Sequence, residues 1–88
     1  MDREIRLKRL HFRAHHRGTK EADLLIGGFF DARGRDWDEA EMALFEELLE
    51  EQDVDIMAWA IGVEPVPERY AGSIMQAMHL LNYVPVAR

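Results

Sequence analysis

Five consecutive residues, Arg17-Gly18-Thr19-Lys20-Glu21, combine side chains suited to polar recognition of another protein. Arginine offers two parallel hydrogen-bond donors, glutamate accepts from backbone amides or arginine, and glycine lets a foreign backbone approach closely. The string also suits a junction between helices, since a cation ending one helix and an anion starting the next each stabilise by about 0.3 to 1 kcal/mol. Local physics favours capping. The binding interpretation takes Arg17 and Glu21 as exposed side chains beside the bare backbone of Gly18.

Two histidines, His11 and His15, have a spacing that metal ions use, because residues four apart share one face of a helix. Two ligands do not make a site, and the nearest further donor, His16, faces another way. Several cationic side chains also crowd this segment. We therefore predict no metal site, and we interpret these histidines as part of a solvated or partner-facing basic surface.

Groups able to catalyse a reaction are scarce in the chain. It has no cysteine, and its one serine, Ser73, falls inside a predicted helix, where we expect the hydroxyl to bond a backbone carbonyl. The acids Asp36, Asp38 and Glu39 resemble a calcium loop only in composition, because the glycine required at its sixth position is missing. No glycine-rich phosphate loop is present. We expect a protein that is not an enzyme and binds no cofactor by itself.

The spacing of apolar residues predicts an all-α protein, a compact five-helix bundle forming a single domain over residues 1–88. The expected helices cover about 5–16, 20–31, a stretch beginning at Glu39, 53–61 and 67–81. Gly18 should end the first helix and Thr19 should cap the second. Gly27 and Gly28 should allow either a close helix contact or a kink. The ordered core should span about 5–82, followed by a loose tail.

The third predicted helix has the clearest start, because Asp38 and Glu41 have the spacing of a capping box and Trp37 and Met42 that of a hydrophobic staple. Its apolar stripe should be buried and comprises Met42, Phe45, Leu48 and Leu49. Its acidic residues are interpreted as a hydrated face and comprise Glu46, Glu47, Glu50 and Glu51. Residues 32–35 are expected to be a linker before this helix.

The remaining two helices have weaker boundary signals. Asp53 is expected to cap the fourth helix and Gly62 to end it, while Pro67 suits the first position of the fifth. The inward residues of the fourth should be Ile56, Trp59 and Ala60. Those of the fifth should be Tyr70, Ile74, Ala77, Met78 and Leu81.

The charge of the chain is unevenly distributed, although the total is −6. Residues 1–20 hold seven Lys or Arg against two acids, whereas the remaining residues hold four Arg against fifteen acids. The acidic remainder would repel a polyanion, so we expect no nucleic-acid partner. We expect the basic segment to dock on the acidic body, on an acidic partner or on both. The sequence contains no run of 18 apolar residues, no cysteine and no secretory signal. We therefore expect a cytoplasmic protein without membrane insertion.

The chain resembles the small succinate dehydrogenase assembly factors, which promote covalent FAD attachment to the flavoprotein subunit in bacteria and mitochondria. The resemblance covers about residues 6–83. It is carried by the following features in this order: the R-G-x-x-E string at 17–21, Asp23, the apolar run to Phe29 and Phe30, and the segments 45–50, 53–59 and 65–67. Thr19 and His16 depart from residues common in the family. Together, the order and spacing of these segments are specific.

The resemblance implies a five-helix bundle that acts as a chaperone in the bacterial cytoplasm. Its implied partner is the flavoprotein subunit of succinate dehydrogenase, with fumarate reductase left open as a second client, and FAD is the client's cofactor. The family's signature falls on Arg17, Gly18 and Glu21, flanked by His16 and Asp23, which we predict together as the partner-binding site. A small regulatory or adaptor bundle with an unrelated partner is the alternative, and a nucleic-acid binder is a remoter one.

Overall fold

A computed structural model describes residues 2–80, which contain helices and turns but no strand. The helices are α1 (Arg3–His15), α2 (Lys20–Ala22), α3 (Gly28–Arg33), α4 (Glu39–Leu48), α5 (Asp53–Ile61) and α6 (Ser73–Leu80). A π-helical segment, Asp23–Gly27, joins α2 to α3 in one continuous helix. The predicted all-α bundle of five helices is therefore confirmed.

The π-helical segment lies where α1 packs against the second helix of the bundle. A Cβ atom added at Gly27 would lie 2.5 Å from Nδ1 of His15, which is closer than side chains tolerate. The glycine therefore permits a close helix contact, as the sequence predicted. The predicted linker is wrong in part, because α3 continues through Arg33 and a 3₁₀ turn follows at Gly34–Asp36. The helix continues because the Gly34 amide still bonds the carbonyl of Phe30.

The N-terminus of α4 has the predicted capping box. Oδ1 of Asp38 accepts from the Glu41 amide at 2.8 Å, and Oε1 of Glu41 accepts from the Asp38 amide at 3.0 Å. Behind it, Trp37 packs against Phe45 with ring centroids 4.7 Å apart. The predicted stripe of α4 is buried and comprises Met42, Phe45, Leu48 and Leu49. Local capping and burial thus agree on the orientation of this helix.

The start of α5 differs from the prediction. Gln52 occupies the N-cap position and Asp53 is the first helical residue, because the Asp53 carboxylate is engaged by an arginine instead. The helix ends at Gly62, as predicted, with a left-handed φ of 95°. Ile56 and Ala60 are buried, whereas Trp59 is only partly buried.

The start of α6 also lies later than expected. Pro67 precedes a 3₁₀ turn, Glu68–Tyr70, and the extended backbone of Ala71 (ψ 130°) prevents this turn from continuing into α6. Ser73 therefore begins the helix, and its hydroxyl donates to Oε2 of Glu41 at 3.3 Å rather than to a backbone carbonyl. Tyr70, Ile74 and Met78 are buried as predicted. The expectations for Leu81 and for the tail lie outside the described residues.

Across residues 2–80, none of the helices combines the length and the apolar character that crossing a bilayer requires.

Candidate functional site

The basic face of α1 docks on acidic side chains of α4 and of the turn that follows it. Arg6 donates to both carboxylate oxygens of Glu46, at 2.9 and 2.8 Å, and to Glu39 at 2.6 Å, while Arg13 pairs with Glu50. The guanidinium of Arg6 lowers the pKa of Glu46, and Glu46 in turn raises that of Arg6. Docking on the acidic body is thus confirmed. Glu50 is 76% exposed, as the interpretation of a hydrated face predicts, whereas that interpretation is wrong for Glu46, which is half-buried and accepts two hydrogen bonds from Arg6.

Arg17 lies at the end of α1, but its side chain is directed inward. Nε donates to Oδ1 of Asp53 at 2.7 Å, and Nη2 donates to the carbonyl of Glu51 at 3.2 Å. Only 12% of the side chain is exposed. The expectation of an exposed arginine is wrong, because the first residue of α5 supplies a carboxylate and the turn before it supplies a carbonyl, and these satisfy the guanidinium.

Gly18 forms the apex of the turn between α1 and α2. Its φ of 115° is strained for other residues, and a Cβ atom added there would meet nothing within 4 Å. The next residue, Thr19, caps α2 as predicted, with its Oγ1 accepting from the Ala22 amide at 3.1 Å. The turn therefore presents an open stretch of backbone to the surroundings.

Asp23 supports this turn from its inner side. Its Oδ1 accepts a hydrogen bond from the Arg17 amide at 2.6 Å, which joins the residue before Gly18 to the second helix. The side chain is half-buried. Arg17 and Asp23 thus support, from the inner side, the exposed surface that we call the corner, which comprises Gly18, Glu21 and Leu24.

Glu21 carries an exposed charge at the corner. It is exposed, and its carboxylate makes no hydrogen bond or ion pair with any part of residues 2–80. Leu24, one turn further along, is 44% exposed and extends the surface with apolar area. The sequence pattern did not single out Leu24, although it falls outside the buried stripe.

His16 lies on the α1 side of the corner, and its side chain interacts with Phe12 rather than with Gly18 or Glu21. Its ring stacks on Phe12 with centroids 4.0 Å apart, and its Nδ1 donates to the Phe12 carbonyl at 2.7 Å. Phe12 itself is 60% exposed, so the pair forms an aromatic surface beside the turn. The structure thus brings Gly18 and Glu21 to the surface, places Arg17 and Asp23 behind them, and sets His16 to one side.

Histidines His11 and His15 have a third donor near them that the sequence analysis missed. Oδ1 of Asp31 lies 3.0 Å from Nε2 of His15 and 3.7 Å from Nε2 of His11. The sequence carried no local signal for this contact, because Asp31 lies 16 positions from His15 and meets it only where α3 packs against α1. The prediction of no metal site rested on a missing third donor, and Asp31 removes that reason.

Comparison of the whole chain with known proteins gives matches to flavin assembly factors. Residues 8–82 match the family described as flavinator of succinate dehydrogenase. FAD assembly factor SdhE of Acetobacter pasteurianus is 41% identical over 73 residues, covering 83% of this chain and 67% of that protein. The mitochondrial succinate dehydrogenase assembly factor 2 of Drosophila grimshawi is 39% identical, covering 96% and 60%. That of Mycosarcoma maydis is 37% identical, covering 85% and 32%. The chain thus spans about a third to two thirds of these relatives' lengths.

Proposed function

Because the chain belongs to the family of flavinators of succinate dehydrogenase, we propose that it binds the flavoprotein subunit of that enzyme and promotes covalent FAD attachment to it. The family description and the names of the relatives support this proposal. We further propose that the chain acts in the bacterial cytoplasm and does not itself catalyse the reaction. Fumarate reductase is a second client to be tested.

The proposed contact is the corner formed by Gly18, Glu21 and Leu24. The single observation that carries it is the exposed carboxylate of Glu21, which has no partner among residues 2–80, beside the open backbone of Gly18. An exposed carboxylate accepts strongly from arginine or backbone amides of a partner, and a backbone without a side chain lets that partner come close. Arg17 and Asp23 have a positioning role in this proposal, because their side chains form the hydrogen bonds that hold the corner in place.

The corner is held in one geometry before any partner arrives. The Thr19 cap, the Asp23 bond to the Arg17 amide and the Arg17 pair with Asp53 each fix a different part of the turn. A pre-organised surface loses little conformational entropy on binding. We therefore expect the corner to dock largely as it is.

Assistance without catalytic groups is physically reasonable. Flavin attachment uses reactive atoms of the flavoprotein and of FAD, so a partner needs only to favour the conformer in which they are aligned. Alignment alone supplies several kcal/mol of barrier reduction in well-oriented reactions. The chain would act by selecting that conformer of its client.

In-gel flavin fluorescence of the denatured flavoprotein subunit tests the function. The subunit is produced in cells lacking their own assembly factor, with or without this chain, and covalent flavin is measured. We expect strong fluorescence with the wild-type chain and background fluorescence without it. Equal fluorescence in both would contradict the proposed function.

Variants of the corner test the site. Glu21→Ala removes an exposed charge for under about 1 kcal/mol, and Gly18→Val strains the turn by roughly 1 to 2 kcal/mol. Both should remain folded and lose flavin attachment, whereas Glu68→Ala, an exposed acid outside the corner, should retain it. Wild-type attachment by folded Glu21→Ala and Gly18→Val would show that the corner is only a helix cap.

A further inference from the structure

The helical hairpin of α1 and α3 brings three potential metal ligands together at the surface. The ligand atoms of His11, His15 and Asp31 all lie within 4.8 Å of one another. Each histidine directs its Nε2 toward the same carboxylate oxygen, at 3.7 Å from His11 and 3.0 Å from His15. Among residues 2–80 this is the one group of three such side chains.

We propose that His11, His15 and Asp31 form a binding site for a divalent transition-metal ion, Zn²⁺ in the first instance. The proposal goes beyond the proposed function and does not depend on it. Two imidazoles and one carboxylate are ligands typical of Zn²⁺, with the remaining positions filled by water. A bound ion would link the end of α1 to α3.

The observed distances suit such an ion. Zn²⁺ lies about 2.0 to 2.2 Å from nitrogen and oxygen ligands, so tetrahedral ligands stand roughly 3.2 to 3.6 Å apart. The two distances from Asp31 to the histidine nitrogens bracket this range. Both imidazole nitrogens already face the shared carboxylate oxygen, and the ligand atoms of the two histidines lie within 4.8 Å of each other, so binding requires the histidine side chains to close on the ion.

The position of His15 is defined by the packing of its ring against Gly27. A Cβ atom at Gly27 would lie 2.5 to 2.8 Å from three ring atoms of His15, so the ring occupies the space that this glycine leaves. The side chain is 27% exposed, against 57% for His11. The ring of His15 is therefore held in place by its packing against Gly27. His11, one helical turn earlier and more exposed, supplies the second imidazole.

The charge around the site does not oppose a cation. The surrounding cleft is lined by Lys8 and Arg35, but also by Glu4 and Asp31, and Arg35 donates to Glu4 at 3.2 Å. Positive and negative side chains in the cleft are equal in number. The crowding by cations expected from the sequence is thus offset, because Arg6 is paired with acids of α4 and Arg13 with an acid of the turn after α4.

Calorimetric titration with Zn²⁺ tests the site, using protein freed of any histidine tag and stripped with a chelator. We expect one ion per wild-type chain. His11→Ala and Asp31→Asn should each weaken binding at least tenfold, because each removes one of three ligands. Both residues are exposed, so both variants should fold, which circular dichroism without metal will verify.

Matched controls are provided by histidines outside the cluster. His16→Ala and His79→Ala should bind Zn²⁺ as the wild type does, since His16 bonds the Phe12 carbonyl and His79 bonds the Ala60 carbonyl. Zn²⁺ should also raise the melting temperature of the wild type but not of His11→Ala, because the ion links two helices only in the folded chain. Absence of saturable binding below about 100 μM, or equal losses in the control variants, would overturn the proposal.

Discussion

Arg17 and Asp53 form a salt bridge across 36 positions of the chain, with Nε of the arginine donating to Oδ1 of the aspartate at 2.7 Å. The pair connects the turn between α1 and α2 to the first residue of α5. Arg17 is 12% exposed and Asp53 is 24% exposed. The arginine of the R-G-x-x-E string therefore stabilises the turn from inside, while Glu21 of the same string faces outward.

This relationship predicts different effects for the two charged residues of the string. Arg17→Ala should destabilise the fold by roughly 1 to 3 kcal/mol, because it leaves the Asp53 carboxylate and the Glu51 carbonyl without their partner. Glu21→Ala should cost under about 1 kcal/mol. Urea unfolding of both variants measures the difference.

A double-mutant cycle with Asp53→Ala isolates the pair itself. We expect a coupling energy of roughly 0.5 to 3 kcal/mol, as found for residues in one ion-pair network. Additive losses would show that Arg17 acts on stability independently of Asp53.

The Arg6 pair with Glu46 predicts a loss of stability in acid. Because Arg6 lowers the pKa of Glu46 in the folded chain, the unfolded chain takes up this proton at a higher pH. The stabilisation is present above the ordinary pKa of a glutamate and is lost as the pH falls through the lowered folded-state value. Glu46→Gln should flatten this part of a curve of unfolding free energy against pH. Glu47→Gln is the control, since that carboxylate makes no ion pair among residues 2–80, and an equal effect there would refute the assignment.

Tyr70 predicts a second loss of stability in alkali. Burial and the hydrogen bond of its hydroxyl to Oε2 of Glu51, 2.6 Å away, raise the pKa of Tyr70 to about 12. Its contribution is complete below the ordinary tyrosine pKa of about 10 and is lost as the pH rises toward 12. Tyr70→Phe should remove this dependence, which chemical denaturation between pH 9 and about 12 will measure. An unchanged profile would mean that other groups control alkaline unfolding.

Two aromatic residues should differ in their importance to the core. Phe45 is fully buried among Trp37, Phe29 and Phe30, so Phe45→Ala should cost roughly 3 to 5 kcal/mol. Trp59 is only partly buried beside Tyr70, so Trp59→Ala should cost roughly 1 to 3 kcal/mol. The sequence predicts an inward Trp59, and the smaller expected loss follows from its partial burial in the structure. Thermal unfolding of both variants decides, and a Trp59→Ala effect as large as that of Phe45→Ala would contradict the observed packing.

Features that depend on residues within one or two helical turns are predictable from the amino-acid sequence. The capping box of Asp38 and Glu41, the buried stripe through Phe45 and the left-handed turn at Gly18 all follow from local spacing and backbone sterics. The same locality located the candidate corner. It also explains where the prediction of α6 failed, since Pro67 is compatible with a helix start but the extended backbone at Ala71 postpones it.

Contacts between groups that are distant in the sequence depend on how the helices pack. The inward direction of Arg17, the pairing of Arg6 with Glu46 and the approach of Asp31 to His15 join residues 16 to 40 positions apart. Such pairings depend on how the helices cross and on which carboxylate offers a guanidinium or an imidazole the best geometry. A pattern read along one helix contains no information about that choice, because several acids compete for each cation and packing of the apolar stripes selects among them.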